Sequence, residues 1–432
     1  MAGQLLQKVR NQGPLSQKTK FRILALMPIY FIAAGLVLQP VDEIWRGILT
    51  IIREPDFLIT DYISIGGIGA AFVNAGVLTL LCIGIVYFLG MEMSGHTITS
   101  CFLMFGFSLF GKNILNIWSI LLGTCLYSYY HKTSITRYIY IGFYGTSLSP
   151  IITQLMQAAQ LPVGIRLPLG ILVGLLIGFV LPPLSTHTHY SHNGYSLYNV
   201  GFAAGIIATA VVSLMRSFGI VTESRLIWST GNNQLFTILL MVLFVGMIII
   251  GYIASDRVWT QYKDILKTYG IGADYVKSEG FAPTLFNMGV NGIVSTVIVL
   301  IVGGDLNGPT IGSIFTIVGF SATGKHIRNI LPIMLGVILG SYVKTWNIAD
   351  PSAILALLLS TTLAPVAGEF GILAGILAGF LHSSVALNVG IVYGGMNLYN
   401  NGFAGGLIAM FLVPVLQSFK DRRARAKTHV SL

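Results

Sequence analysis

Long apolar stretches separated only by short polar links recur from residue 23 to residue 418, and this alternation limits the chain to a membrane fold. A span needs roughly 20 apolar residues, or fewer where the helix is broken or re-entrant. About fourteen segments meet that rule. The first seven are roughly 23–39, 65–90, 96–111, 113–130, 137–157, 163–183 and 195–216; the second seven are roughly 235–254, 282–304, 309–323, 328–343, 351–368, 370–391 and 395–418. Composition agrees, with 54% hydrophobic and 9% charged residues, against about 25% charged in a soluble domain. The longest polar insert, Asp256 to Gly280, is too short for a domain of its own. The expected fold class is an all-α integral membrane protein.

A net charge of +10 raises nucleic acid as a partner, but the placement of the basic residues points to the bilayer. Lys8, Arg10, Lys18, Lys20 and Arg22 precede the first segment, and Lys420, Arg422, Arg423, Arg425 and Lys427 follow the last. Cytoplasmic loops and tails collect Lys and Arg, so both termini are expected in the cytoplasm, with an even span count and the cell membrane as location. Threading from there puts the majority of the 25 Lys and Arg inside, including Lys132, Arg137, Lys263 and Lys267, and leaves Arg46, Arg53, Arg216, Arg225 and Lys344 outside. The run 23–38 lacks a small-residue cleavage site and is read as an uncleaved first helix. Cys82, Cys101 and Cys125 fall in apolar stretches and are expected as free thiols.

The segments repeat. At an offset of 213 residues, Asn74-Ala75-Gly76-Val77 meets Asn287-Met288-Gly289-Val290, Gly106-Phe107-Ser108 meets Gly319-Phe320-Ser321, and Gly111-Lys112 with Asn116 meets Gly324-Lys325 with Asn329. At an offset of 201, Leu197-Tyr198-Asn199 and Gly201-Phe202-Ala203 meet Leu398-Tyr399-Asn400 and Gly402-Phe403-Ala404. Residues 1–219 and 220–432 are thus expected to be two tandem homologous halves. An odd number of spans per half would turn the second copy upside down, giving an inverted repeat whose site lies at the repeat interface.

Each half interrupts its apolar pattern with the same cassette: Glu92, Thr97 and Ser100 around Ser94-Gly95, and Asp305, Thr310 and Ser313 around Asn307-Gly308-Pro309. A helix that starts inside a membrane cavity offers free N–H groups to a polar or anionic ligand, whereas the plainer reading is an interfacial loop with N-caps. Glu92 and Asp305 are the candidates for ion coupling. Lys112 and Lys325 follow glycines at segment ends, where snorkelling to headgroups competes with a functional role. Asn74 and Asn287 lie within apolar segments and must find partners, in another helix or in a ligand. Asn199 and Asn400, beside small residues, pose the same choice and complete the substrate-binding candidates. His187, His189 and His192 suggest a metal, yet the second half has no counterpart and no carboxylate lies nearby, so a solvated or pore-mouth loop is the expectation and no metal site is assigned. No cofactor is expected, and no Walker-type glycine loop occurs.

Trp45-Arg46-Gly47-Ile48-Leu49, leading through Arg53-Glu54-Pro55-Asp56-Phe57, and the Tyr-Asn-x-Gly-Phe-Ala-x-Gly motif loosely resemble the urea-channel family, which implies an inverted repeat with paired pore-lining motifs. As a whole the sequence resembles a multi-spanning membrane family of bacteria to which the resemblance attaches no activity. The expected function is a secondary transporter or channel for a small polar solute or ion, and not an enzyme. The alternative is a membrane-embedded enzyme or electron-transfer subunit, for which the histidine cluster is the one asymmetric feature. The bilayer and a small solute are the expected partners, nucleic acid is not, and assembly with further copies of the chain stays open.

Overall fold

The computed structural model describes residues 15–221 and 225–430. Lys8 and Arg10 of the basic tail, and the side chains of Arg423, Arg425 and Lys427, lie outside the described residues. The chain is helical almost throughout; the one departure from an all-α fold among the described residues is a parallel pairing of β1 (Ile59–Thr60) with β2 (Leu226–Ile227). Nine helical stretches of the described part are long and apolar enough to cross a membrane, Pro351–Phe370 being counted through its 3-10 turn, which makes this a multi-pass α-helical membrane protein.

Most helices fall on the expected apolar runs, while those at Val41–Arg53, Val258–Ile265 and Tyr275–Ser278 lie between them. In order they are α1 (Gln17–Leu38), α2 (Val41–Arg53), α3 (Tyr62–Gly66), α4 (Ile68–Phe88), α5 (Gly95–Phe107), α6 (Trp118–Tyr130), α7 (Ile139–Gly145), α8 (Ser149–Gln157), α9 (Val163–Ser191) and α10 (Asn199–Ser217). There follow α11 (Asn233–Ala254), α12 (Val258–Ile265), α13 (Tyr275–Ser278), α14 (Phe281–Ile301), α15 (Gly308–Phe320), α16 (Ile327–Ser341), α17 (Pro351–Leu359), α18 (Ala364–Phe370), α19 (Ile372–Val389) and α20 (Asn400–Val430).

Two expectations are corrected by prolines. The segments 137–157 and 351–368 are not continuous, because each breaks into a 3-10 turn, at Thr146–Leu148 and Ser360–Leu363. Pro150 and Pro365 lack the N–H that would bond the carbonyls of Thr146 and Thr361, so the α-helix cannot run through. Conversely α9 does not stop near 183 but continues to Ser191 through Pro182 and Pro183. The Gly178 carbonyl that Pro182 cannot satisfy accepts a hydrogen bond from the Thr124 hydroxyl on α6 instead (3.2 Å). His187 and His189 are consequently helical rather than in a loop.

The same pairings recur at matched places. α1 packs on α4 as α11 does on α14, and α6 packs on α9 as α16 does on α19. α5 and α15, buried along nearly their whole length, cross at the centre. The Thr99 hydroxyl near the start of α5 donates to the Gly319 carbonyl near the end of α15 (2.8 Å). A Cβ on Gly106, near the end of α5, would lie 2.6 Å from the Gly312 carbonyl oxygen near the start of α15. The two helices therefore run antiparallel, with backbones in contact where glycine permits it. Between those contacts Phe102 and Phe315, equivalent positions of the 213-residue offset, stack with ring centroids 5.5 Å apart.

Candidate functional site

The turns after α5 and α15 build the centre. Gly111 and Gly324 take φ of 150° and 139°, a region that favours glycine, and reverse the chain so that the next residue, Lys112 or Lys325, points inward. Asn116 and Asn329 lock the turns by donating to the Gly111 and Gly324 carbonyls (3.1 and 2.9 Å). Asn74 donates to the carbonyls of Ser108 and Lys112 (2.8 and 2.9 Å), and Asn287 to those of Ser321 and Lys325 (2.8 Å each). These are carbonyls that the interrupted helices leave without a partner. The in-span amides hold the lysine turns in place.

Both lysines are wholly buried, which removes the snorkelling alternative. Lys325 Nζ donates to the Tyr198 hydroxyl and to Thr361 Oγ1 (2.7 Å), a buried residue in the proline break between α17 and α18. Lys112 Nζ reaches only the Phe143 carbonyl, at 3.4 Å. Its matched hydroxyl, Tyr399 Oη, is buried without a hydrogen-bond partner. Tyr198 and Tyr399 stack on one another at 4.8 Å between centroids, flanked by Phe320 at 4.6 Å and Phe107 at 5.1 Å. They sit at the head of α10 and α20, where Gly201 and Gly402 bring the two helices together; a Cβ on Gly402 would lie 2.8 Å from the Gly201 Cα.

Two cavities lie at matched positions. One of about 470 Å³ is lined by Ser185, Thr186, His189, Tyr190, Asn199 and Val200, and reaches Tyr198, Tyr399 and Phe320. The other, of about 420 Å³, is lined by Ala386, Leu387, Gly390, Ile391, Asn400 and Asn401, each 201 residues further along. Arg137 borders the first, Arg216 and Arg225 the second, and among the described residues no Asp or Glu lines either.

The remaining residues singled out from the sequence are scattered. Glu92 is exposed, and Asp305 is half-buried beneath Trp228, whose Nε1 donates to it at 3.4 Å. Ser94 and Asn307, not the threonines, cap α5 and α15; Thr97 closes a capping box with Ser94 and also bonds Tyr140 (2.6 Å), while Thr310 Oγ1 is buried without a partner. Ser100 and Ser313 turn back onto their own helices, bonding the Thr97 and Pro309 carbonyls (2.9 Å each). Asn199 is tied to Ser185, Thr188 and His192, and Asn400 to Ala386 and Tyr393. His192 therefore serves an amide, and among the described residues no cluster of His, Cys, Asp or Glu could hold a metal.

Two acids, the buried Asp61 and the half-buried Asp274, went unnoticed in the sequence. The free N–H at the start of α15 is taken by Asp61 Oδ1 (Gly308 N, 3.2 Å), and that of α5 by Asp274 Oδ1 (Gly95 N, 2.8 Å). Each carboxylate comes from the opposite half of the chain, and the pairs Asp61-Tyr62 and Asp274-Tyr275 are separated by the same 213 residues, a signal available beforehand. Both helix starts are thus already filled by carboxylates of the chain itself, not held open for a ligand. A third acid, Asp56, is wholly buried in the link after α2, accepting from Tyr62 Oη (2.6 Å), Asn116 Nδ2 (3.0 Å) and Thr153 Oγ1 (2.9 Å). It has no counterpart in the second half, where Tyr269 stands at the matched position.

A family model described as "Protein of unknown function (DUF1576)" matches residues 41–217 and 254–418, most of the chain. The chain belongs to that family. The two matched stretches contain the central helices, both lysine turns and both tyrosines. No curated protein and no solved structure matches the chain.

Proposed function

We propose that this protein is a secondary transporter or channel that moves a small polar solute or ion across the cell membrane, along a path between two inverted halves. The observation that carries the reading is the pair of cavities lined by residues 201 positions apart, with the stacked Tyr198 and Tyr399 at the end of one of them. The antiparallel crossing of α5 and α15, with Phe102 against Phe315, supports a two-fold axis perpendicular to those helices. If the helices stand across the bilayer, that axis lies in the membrane plane and sends the two cavities to opposite faces. Inverted repeats that bind solute at their interface and open alternately have this arrangement.

The tyrosines line the first cavity and not the second. On this reading the centre is open to one side and shut from the other, as a gated path requires. With both termini cytoplasmic, the open cavity, bordered by Arg137, faces the cytoplasm. The test is uptake of labelled solutes into proteoliposomes containing the purified protein. Uptake above that of protein-free vesicles for at least one small solute in a panel of urea, chloride and formate is expected, and its removal by Gly201→Leu, which forces apart the α10–α20 contact, ties the flux to this path. No flux for any solute in the panel overturns the proposal.

A further inference from the structure

We propose that the solute is a small monovalent anion, of the size of chloride or formate, held between Lys112, Lys325 and the hydroxyls of Tyr198 and Tyr399; this rests on the transport reading above. Two amines are wholly buried at the centre, and among the described residues neither forms an ion pair with a carboxylate. An isolated buried charge is costly unless something of opposite sign meets it. Aromatic rings stand near both amines: Lys325 Nζ lies 4.3 Å from the Tyr198 ring centroid and 5.4 Å from that of Phe320, and Lys112 Nζ lies 5.0 Å from that of Phe107. Aromatic faces attract cations, but they do not neutralise them.

The chain's own acids are directed elsewhere. Asp61 and Asp274 cap helices, Asp56 is held by Tyr62, Asn116 and Thr153, and neither cavity presents a carboxylate among the described residues. The arginines beside each cavity raise the local concentration of anions. At the centre two donors are short of acceptors. Tyr399 Oη has no partner, and Lys112 has one distant carbonyl where Lys325 has two hydroxyls. An anion entering from the first cavity would accept from Tyr399 and Lys112 and supply the missing contacts.

The experiment compares uptake of labelled chloride, formate and urea by proteoliposomes holding the parent, Lys112→Met, Lys325→Met or Tyr399→Phe. Loss of a charge-assisted hydrogen bond lowers anion uptake by about tenfold or more in either lysine variant, while the apolar replacement of similar length leaves the protein monodisperse. Tyr399→Phe deletes one unpaired hydroxyl, leaves the packing intact, and raises the half-saturating anion concentration several-fold, so the test stays decisive if a lysine variant fails to fold. Uptake of urea without chloride or formate overturns the anion and keeps the transporter. Absence of all three overturns both. Anion uptake unchanged in the folded variants shows that the anion passes elsewhere, and the site is then wrong.

Discussion

Asp56 illustrates what burial does to a single side chain. Removal from water pushes its carboxyl up to about 7, against the pull of hydrogen bonds from Tyr62, Thr153 and Asn116. A folded-state value above the unfolded one means that the native protein keeps a proton which the unfolded chain releases. Stability from this group is therefore full below about pH 4, is lost as pH rises towards 7, and changes no further above that. Thermal unfolding in detergent between pH 5 and pH 8 should show the parent losing stability over this range while Asp56→Asn loses less. Parallel profiles for the two proteins would place the proton elsewhere. The lysines and asparagines follow the same physics in another form: Asn74 and Asn287 occur inside apolar helices because Lys112 and Lys325 need their turns fixed, and an unpaired amide or carbonyl in hydrocarbon is not tolerated.

Among the elements, the broken helices position the site. α5 and α15 are each 13 residues long, too short to cross a bilayer alone, and each is capped at its start by an acid from the other half. Asp61 receives Ile63 N, Gly308 N, and both N–H and hydroxyl of Ser229. Asp61→Ala leaves these buried donors unpaired and should cost about 3 kcal/mol, whereas Glu92→Ala, at an exposed position, should stay within about 0.5 kcal/mol. Chemical or thermal unfolding of the two variants side by side measures the contrast, and equal effects would remove Asp61 as a link between the halves.

For the whole molecule, the proposed inversion makes a prediction that needs no substrate. α2 and α12 carry Trp45 and Trp259, which match at an offset of 214 residues together with Asp42 and Asp256, so the two helices should lie against opposite faces of the membrane. Arg46 and Lys263 are exposed on them. In a Cys125→Ser background, where the remaining Cys82 and Cys101 are buried, Arg46→Cys should react with an impermeant thiol reagent from outside and Lys263→Cys only after the membrane is opened. Labelling of both from the same face would rule out the inversion.

Apolar periodicity and internal repetition were enough to place the long apolar helices, because a span must satisfy its own backbone and so writes its length into the sequence. The same repetition exposed the lysines and asparagines as pairs. Which pairs meet a ligand was not legible there, since it depends on contacts between residues far apart in the chain. Only the packed structure turned the asparagines towards carbonyls, buried the lysines against Tyr198 and Phe107, and sent Asp61 and Asp274 across to the opposite helix starts. The proline breaks were visible in the sequence as Pro150 and Pro365. That the second break delivers Thr361 to Lys325, while Thr146 at the first turns onto the Phe143 carbonyl, was decided by tertiary packing, where a buried donor must find its acceptor wherever the fold supplies one.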